Sequence, residues 1–188
     1  MKMTKGGFDI IRNKLSRLNQ SQVNEIDFLV DEFDKDKSIT YAQAAYMLAT
    51  VWHETASTML PIAEYGKGKG RKYGQKYDID GSVYKGLDHI YYGRGYVQLT
   101  WLSNYVLATK KIGTDFVNNP DLVMQKEYAV KILIQGMKDG WFTGRKLSDY
   151  INQSKKDYVN ARRIINGTDK AQKIANEAII FESALRSY

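Results

Sequence analysis

Tyr41-Ala42-Gln43-Ala44-Ala45-Tyr46-Met47-Leu48-Ala49-Thr50-Val51-Trp52-His53-Glu54-Thr55 is the stretch from which the fold can be read. Apolar residues at 41, 44, 45, 48, 51, 52 and 55 keep a period near 3.6, which predicts a core helix. Thr40 precedes it and Gln43 follows three residues on, the pairing of a capping box. Glu54 falls at the edge of the apolar stripe, beside Met47 and Val51. A carboxyl there is expected to be partly desolvated, which suits a general acid. The plainer alternative is a solvated glutamate on a helix rim. Pro61 is expected to end or kink the helix, letting the chain fold back and bring Glu64 towards Glu54. A straight helix would hold the two about 15 Å apart. Inverting glycosidases keep their carboxyls about 6.5–9.5 Å apart, so the spacing permits such a pair without singling it out.

Working outward, apolar residues at 8, 11 and 15 predict a first helix. Ser21 offers a cap for a second, with Val23, Ile26, Leu29, Val30 and Phe33 on one face. Residues 34–38 resemble the start of a calcium loop, but Ile39 and Ala45 stand where its glycine and glutamate belong. His53-Glu54 begins a zinc protease signature that Ser57 breaks, and the chain has only two histidines. Neither a metal nor a cofactor is expected. Gly66-Lys67-Gly68-Lys69-Gly70-Arg71-Lys72 is no phosphate-binding P-loop, and its four cations suit either an acidic or polar ligand or plain solvation. Residues 77–84 read as a small hairpin turning at Asp80-Gly81. The block from Tyr91 to Tyr105 sets four tyrosines, Trp101, Arg94, Gln98, Thr100 and Asn104 around two glycines. Flat rings beside amides and hydroxyls suit a carbohydrate cleft, although a helix start packed with aromatics would look alike.

A helix is expected over 97–109, and a long one from Asn119-Pro120-Asp121 to near Gly140. Shorter helices are expected over 147–151 and 157–165, the latter closed by Asn166-Gly167. Asp169 is expected to cap the last helix, with Ile174, Ala178, Phe181 and Leu185 facing inward. The whole reads as a mainly α chain with one small β-hairpin. The expected organisation is a single catalytic domain over 1–188: N-terminal helices to about 55, an active-site loop and hairpin over 56–95, then C-terminal helices.

Charge narrows the partners. With 28 Lys and Arg against 21 Asp and Glu, the net charge is +7 and favours a polyanion, be it nucleic acid, membrane or envelope. No window reaches the roughly 18 apolar residues of a membrane span, so stable insertion is not expected. The absence of cysteine excludes disulfides and fits a reducing compartment. The polar first seven residues lack the apolar core of a secretory signal. The expectation is synthesis in the cytoplasm of a host cell and action on the wall or periplasm after release, as a monomer.

His53-Glu54-Thr55, Glu64, Tyr92-Gly93-Arg94-Gly95-Tyr96-Val97-Gln98-Leu99-Thr100-Trp101 with Asn104-Tyr105, and Ala161-Arg162-Arg163-Ile164-Ile165-Asn166-Gly167 together resemble glycoside hydrolase family 19. The likeness is nearest to its bacteriophage and prophage branch of chitinase-like endolysins, and it runs from about residue 8 to 185. It implies a lysozyme-like helical fold. It also implies Glu54 as general acid, Glu64 as the base that activates water, and Thr100 as the hydroxyl that holds that water. Tyr92, Gln98, Asn104 and Asn166 match cleft-lining positions, and Trp101 and His53 join them as substrate contacts. Arg94 is implied as structural support, and Arg163 as support or ligand. Asp78 and Asp80 compete with Glu64 for the base.

The resulting expectation is an inverting hydrolase of β-1,4 bonds in peptidoglycan, a lysozyme-type activity. Chitin hydrolysis is the nearest alternative. A non-catalytic wall-glycan module would leave the acidic pair unexplained, and so would a nucleic-acid binder built on residues 66–76; no nucleic-acid partner is expected.

Overall fold

The computed structural model describes residues 1–74 and 90–187. Among these, the α helices are α1 (Lys5–Lys14), α2 (Gln20–Lys35), α3 (Tyr41–Glu54), α4 (Leu102–Ile112), α5 (Lys126–Asp139), α6 (Leu147–Tyr150) and α7 (Ala171–Leu185). Two strands, β1 (Ile62–Ala63) and β2 (Arg94–Gly95), and two 3-10 turns, Pro120–Met124 and Asn160–Ile164, complete the described elements. The chain divides into two compact units, Met1–Leu60 with Leu133–Tyr188, and Pro61–Ile132.

The first unit is built around α3. Thr40 caps it and Gln43 reaches back, as the sequence predicts. Its burial goes beyond an amphipathic stripe, because every residue from Ala44 to Trp52 is buried. Within that span, alanines at 44, 45 and 49 leave no polar side chain to expose on the far face. The buried Thr50 hydroxyl donates to the Tyr46 carbonyl at 2.9 Å, so it leaves no stranded donor. Helix α7 lies against α3, with Trp52 meeting Phe181 edge-on at 6.1 Å. Ile174, Ala178, Phe181 and Leu185 are all buried, as their spacing predicts. Helix α1 also packs on α7, so closely that a Cβ on Gly7 would stand 2.6 Å from the Ala184 carbonyl oxygen.

Several boundaries differ from expectation. Asn19, not Ser21, caps α2, since it accepts from Gln22 while the Gln22 side chain answers it. Pro61 does not end α3. The helix stops at Glu54, where left-handed Ala56 and Ser57 reverse the chain and the Ser57 N–H reaches back to the Trp52 carbonyl at 2.8 Å. Asp169 does not cap α7; left-handed Lys170 occupies that place without a side-chain bond. The helix expected over 157–165 is instead a 3-10 turn, entered where the Asp157 carboxylate accepts the Asn160 N–H at 3.0 Å.

In the second unit β1 and β2 pair antiparallel, Ile62 opposite Gly95 and Ala63 opposite Arg94. Arg94 and Leu99 then exchange backbone bonds of 3.2 and 2.9 Å across a turn containing left-handed Gln98. That turn, and a positive φ of 79° at Trp101, delay α4 to Leu102 rather than 97. The long helix expected from Pro120 is likewise divided, because Gln125 is extended between the 3-10 turn and α5. Tyr91, Tyr96 and Tyr105 are buried in this unit. The expected hairpin over 77–84, with Asp78 and Asp80, lies outside the described residues.

Candidate active site

Glu54 is the last residue of α3, and its side chain is 16% exposed. Its Oε1 accepts a 2.6 Å bond from Nη1 of Arg162, whose side chain is 4% exposed. Arg162 Nε donates to the Asp169 carbonyl at 2.9 Å, so the guanidinium is fixed from two sides. A buried charge needs such a partner. Close by in this electrostatic neighbourhood, the Tyr46 hydroxyl is buried with no hydrogen-bond partner among the described residues. Burial pushes its phenol far above the ordinary range, with Arg162 opposing the shift. His53 is half-buried; burial holds its imidazole below the usual value against the pull of Glu54, which favours the neutral ring.

The arginine bonded to Glu54 is therefore Arg162, the neighbour of the Arg163 that the motif singles out. Arg163 is exposed, and its carbonyl accepts from the Thr143 hydroxyl at 2.6 Å. Asn166 is also exposed, with its N–H donating to the Arg162 carbonyl at 2.9 Å. A signal for Arg162 was present in the spacing: Tyr158, Ala161, Arg162 and Ile165 fall at helical intervals on one face, and Arg163 does not.

Glu64 immediately follows β1, and backbone amides hold both of its oxygens. Oε1 accepts from the Gly68 N–H at 2.9 Å and Oε2 from the Gly93 N–H at 3.1 Å. Its own N–H donates to the Gly93 carbonyl at 2.8 Å, continuing the strand pairing by one residue. Gly93 has no side chain because other groups converge there. A Cβ would lie 2.9 Å from Gln98 Oε1, 3.2 Å from Glu64 Oε2 and 3.2 Å from Thr100 Oγ1. Gln98 is pinned by its Nε2, which donates to the Ile62 and Gly95 carbonyls at 3.0 and 3.2 Å. The Thr100 hydroxyl spends its proton on the Gln98 carbonyl at 2.8 Å. Its remaining lone pairs can only accept.

The neighbouring residues brace this arrangement. Asn104 Nδ2 donates to the Thr100 carbonyl at 2.8 Å. Burial, and next the Glu64 carboxylate, raise the Tyr73 phenol, whose ring meets Trp101 edge-on at 5.1 Å. Trp101 is half exposed. Arg94 is buried and spends its donors inside the unit, on Asp121 at 2.8 Å, the Ile90 carbonyl at 2.5 Å and the Tyr105 hydroxyl at 2.9 Å. Its guanidinium also lies 3.6 Å from the centre of the Tyr92 ring. Among the described residues no three histidine, aspartate or glutamate side chains gather closely enough to hold a metal ion.

Comparison with known proteins agrees with this reading of the motifs. The family model described as "Chitinase class I" matches residues 34–143. An acidic endochitinase of Petunia hybrida is 35% identical over 105 residues, covering 51% of this chain and 41% of that protein. An acidic 27 kDa endochitinase of Solanum lycopersicum is 67% identical over 33 residues, covering 18% of this chain and 13% of its own. The chain thus spans well under half the length of these relatives. Chitinase C from Streptomyces griseus shares the fold at a TM-score of 0.64, with 23% identity over 97% of this chain and 92% of that one. A class IV family 19 chitinase from Zea mays does so at 0.55, with 21% identity over 98% and 93%. With the family match extending over more than half its residues, the chain belongs to the class I chitinase family, glycoside hydrolase family 19.

Proposed function

We propose that this protein hydrolyses β-1,4 bonds between N-acetylated amino sugars by an inverting acid/base mechanism, with peptidoglycan as its substrate. The observation that carries the proposal is the setting of Glu64: a carboxylate oriented through both oxygens, beside a threonine hydroxyl left with only lone pairs to offer. A base must point at one water, and Thr100 supplies an acceptor for that water's second proton. In the proposed step the water oxygen bonds to the anomeric carbon as its proton passes to Glu64. The bond to the glycosidic oxygen breaks, and that oxygen takes the proton carried by Glu54. Exchange with solvent returns both carboxyls to their starting states. The +7 charge supports the acidic wall polymer as substrate, and action on the wall after release from the cell that makes the protein accords with it.

Product analysis tests this. Purified peptidoglycan should yield fragments cut between N-acetylmuramic acid and N-acetylglucosamine, identified by mass spectrometry. The first-formed reducing ends should be the α anomer by proton NMR, as inversion requires. Initial β anomer would overturn the mechanism. A second reading, hydrolysis of chitin, is favoured by the endochitinase relatives. Turnover of chitin oligomers with intact peptidoglycan would establish it instead.

Gly93→Ala should be more damaging than its size suggests. Its methyl would press on Gln98, Glu64 and Thr100 together, and Gln98 is held by two carbonyls. Displacing a catalytic group by about 1 Å can cost on the order of 100-fold in rate. We expect kcat to fall by that order with KM little changed, measured on the substrate that product analysis identifies.

A further inference from the structure

We propose that the loop over 66–72 is a recognition strip for carboxylate groups carried by the glycan; this rests on reading the chain as a glycan hydrolase. The loop carries Lys67, Lys69, Arg71 and Lys72, all exposed, and among the described residues none of them has an ion-pair partner. A run of surface cations is ordinarily just solvated. Three observations set this one apart.

First, its backbone is organised by successive turns. Lys67 N–H donates to the Glu64 carbonyl at 3.2 Å, Lys69 N–H to Gly66 at 3.0 Å and Arg71 N–H to Gly68 at 2.9 Å. Gly66, Gly68 and Gly70 take φ of 85°, 73° and 75°, which residues with side chains avoid, Lys67 joins them at 46°, and the cations alternate with the glycines up to Arg71. Secondly, the loop is tied to the proposed base. Buried Gly68 gives its N–H to the Glu64 carboxylate at 2.9 Å, and beyond the loop the Tyr73 carbonyl accepts the Leu102 N–H at 2.9 Å. Any polymer engaged at Glu64 therefore lies beside these charges. Thirdly, Tyr65, next to Glu64, is fully exposed and offers a flat face to a sugar ring. A neutral glycan would gain nothing from the four charges. A strand bearing carboxylates would, since charges within about 8 Å interact at physiological salt.

The test compares one polymer in neutral and acidic form, glycol-chitin and carboxymethyl-chitin, by affinity electrophoresis. Glu54→Gln protein is used so that binding is read without turnover. Adding Lys67→Gln, Lys69→Gln, Arg71→Gln and Lys72→Gln should weaken binding to carboxymethyl-chitin at least about tenfold, the combined worth of several exposed ion pairs. Binding to glycol-chitin should change less than about twofold, and only the acidic polymer's binding should fall steeply with salt. The pair Lys67→Gln with Lys69→Gln should give an intermediate loss, which guards against a folding defect in the fourfold variant. Equal losses on both polymers, or no loss on either, would overturn the inference. So would duplex DNA binding as tightly as carboxymethyl-chitin at the same salt. If unaltered protein releases no reducing ends from peptidoglycan or chitin, the hydrolase reading fails, whatever the binding ratio.

Discussion

Glu54→Gln should lower turnover by about 10²–10⁴-fold, the usual contribution of a positioned general acid. The substitution keeps the side chain's length and an oxygen for the Arg162 Nη1 bond, so the helix end keeps its shape. What disappears is the proton that the leaving oxygen must receive. KM should move little, because the change falls on the transition state and not on sugar binding. Initial rates on the identified substrate, with circular dichroism to show an unchanged fold, make the measurement. A correctly folded variant that works at the native rate would remove Glu54 from the mechanism.

Arg162→Met should act on stability and rate together. The methionine fills similar space, but it strands a carboxylate whose side chain is only 16% exposed. Breaking a largely buried ion pair by removing one partner costs about 3 kcal/mol. For a chain of this size that lowers Tm by roughly 10 °C, and thermal unfolding near neutral pH reads it directly. Combined with Glu54→Gln, the second substitution should add less than it costs alone, as expected for partners in contact. A fully additive loss would mean that Arg162 serves packing and not Glu54.

The helix that bears Glu54 was legible because its signal is carried by side chains. Thr40, Gln43 and the spaced apolar residues each announce it, and α7 was legible in the same way. The setting of Glu64 was not, because its partners are the amides of Gly68 and Gly93, and a backbone N–H has no identity in a sequence. The sheet escaped for a related reason: strands of two residues are too short to show alternation, and 62–63 find 94–95 far along the chain. The start of α4 was misplaced because apolar residues in the buried turn at 96–99 imitate a helical face, while Gln98 and Trp101 adopt positive φ without being glycines. Arg162 and Arg163 were distinguishable only by extending the apolar spacing of Tyr158, Ala161 and Ile165 through them.

Trp101 is half exposed, and its φ of 79° and ψ of 135° belong to a region that only glycine enters freely. Holding it there costs on the order of 1–3 kcal/mol, while its exposed ring returns little by burial. Directed evolution for heat tolerance alone would accordingly drift towards glycine at 101. It would discard the ring that meets Tyr73, and the hardiest variants would emerge with the barest surface beside Glu64. Selection on a thermal screen should therefore be coupled to turnover at every round.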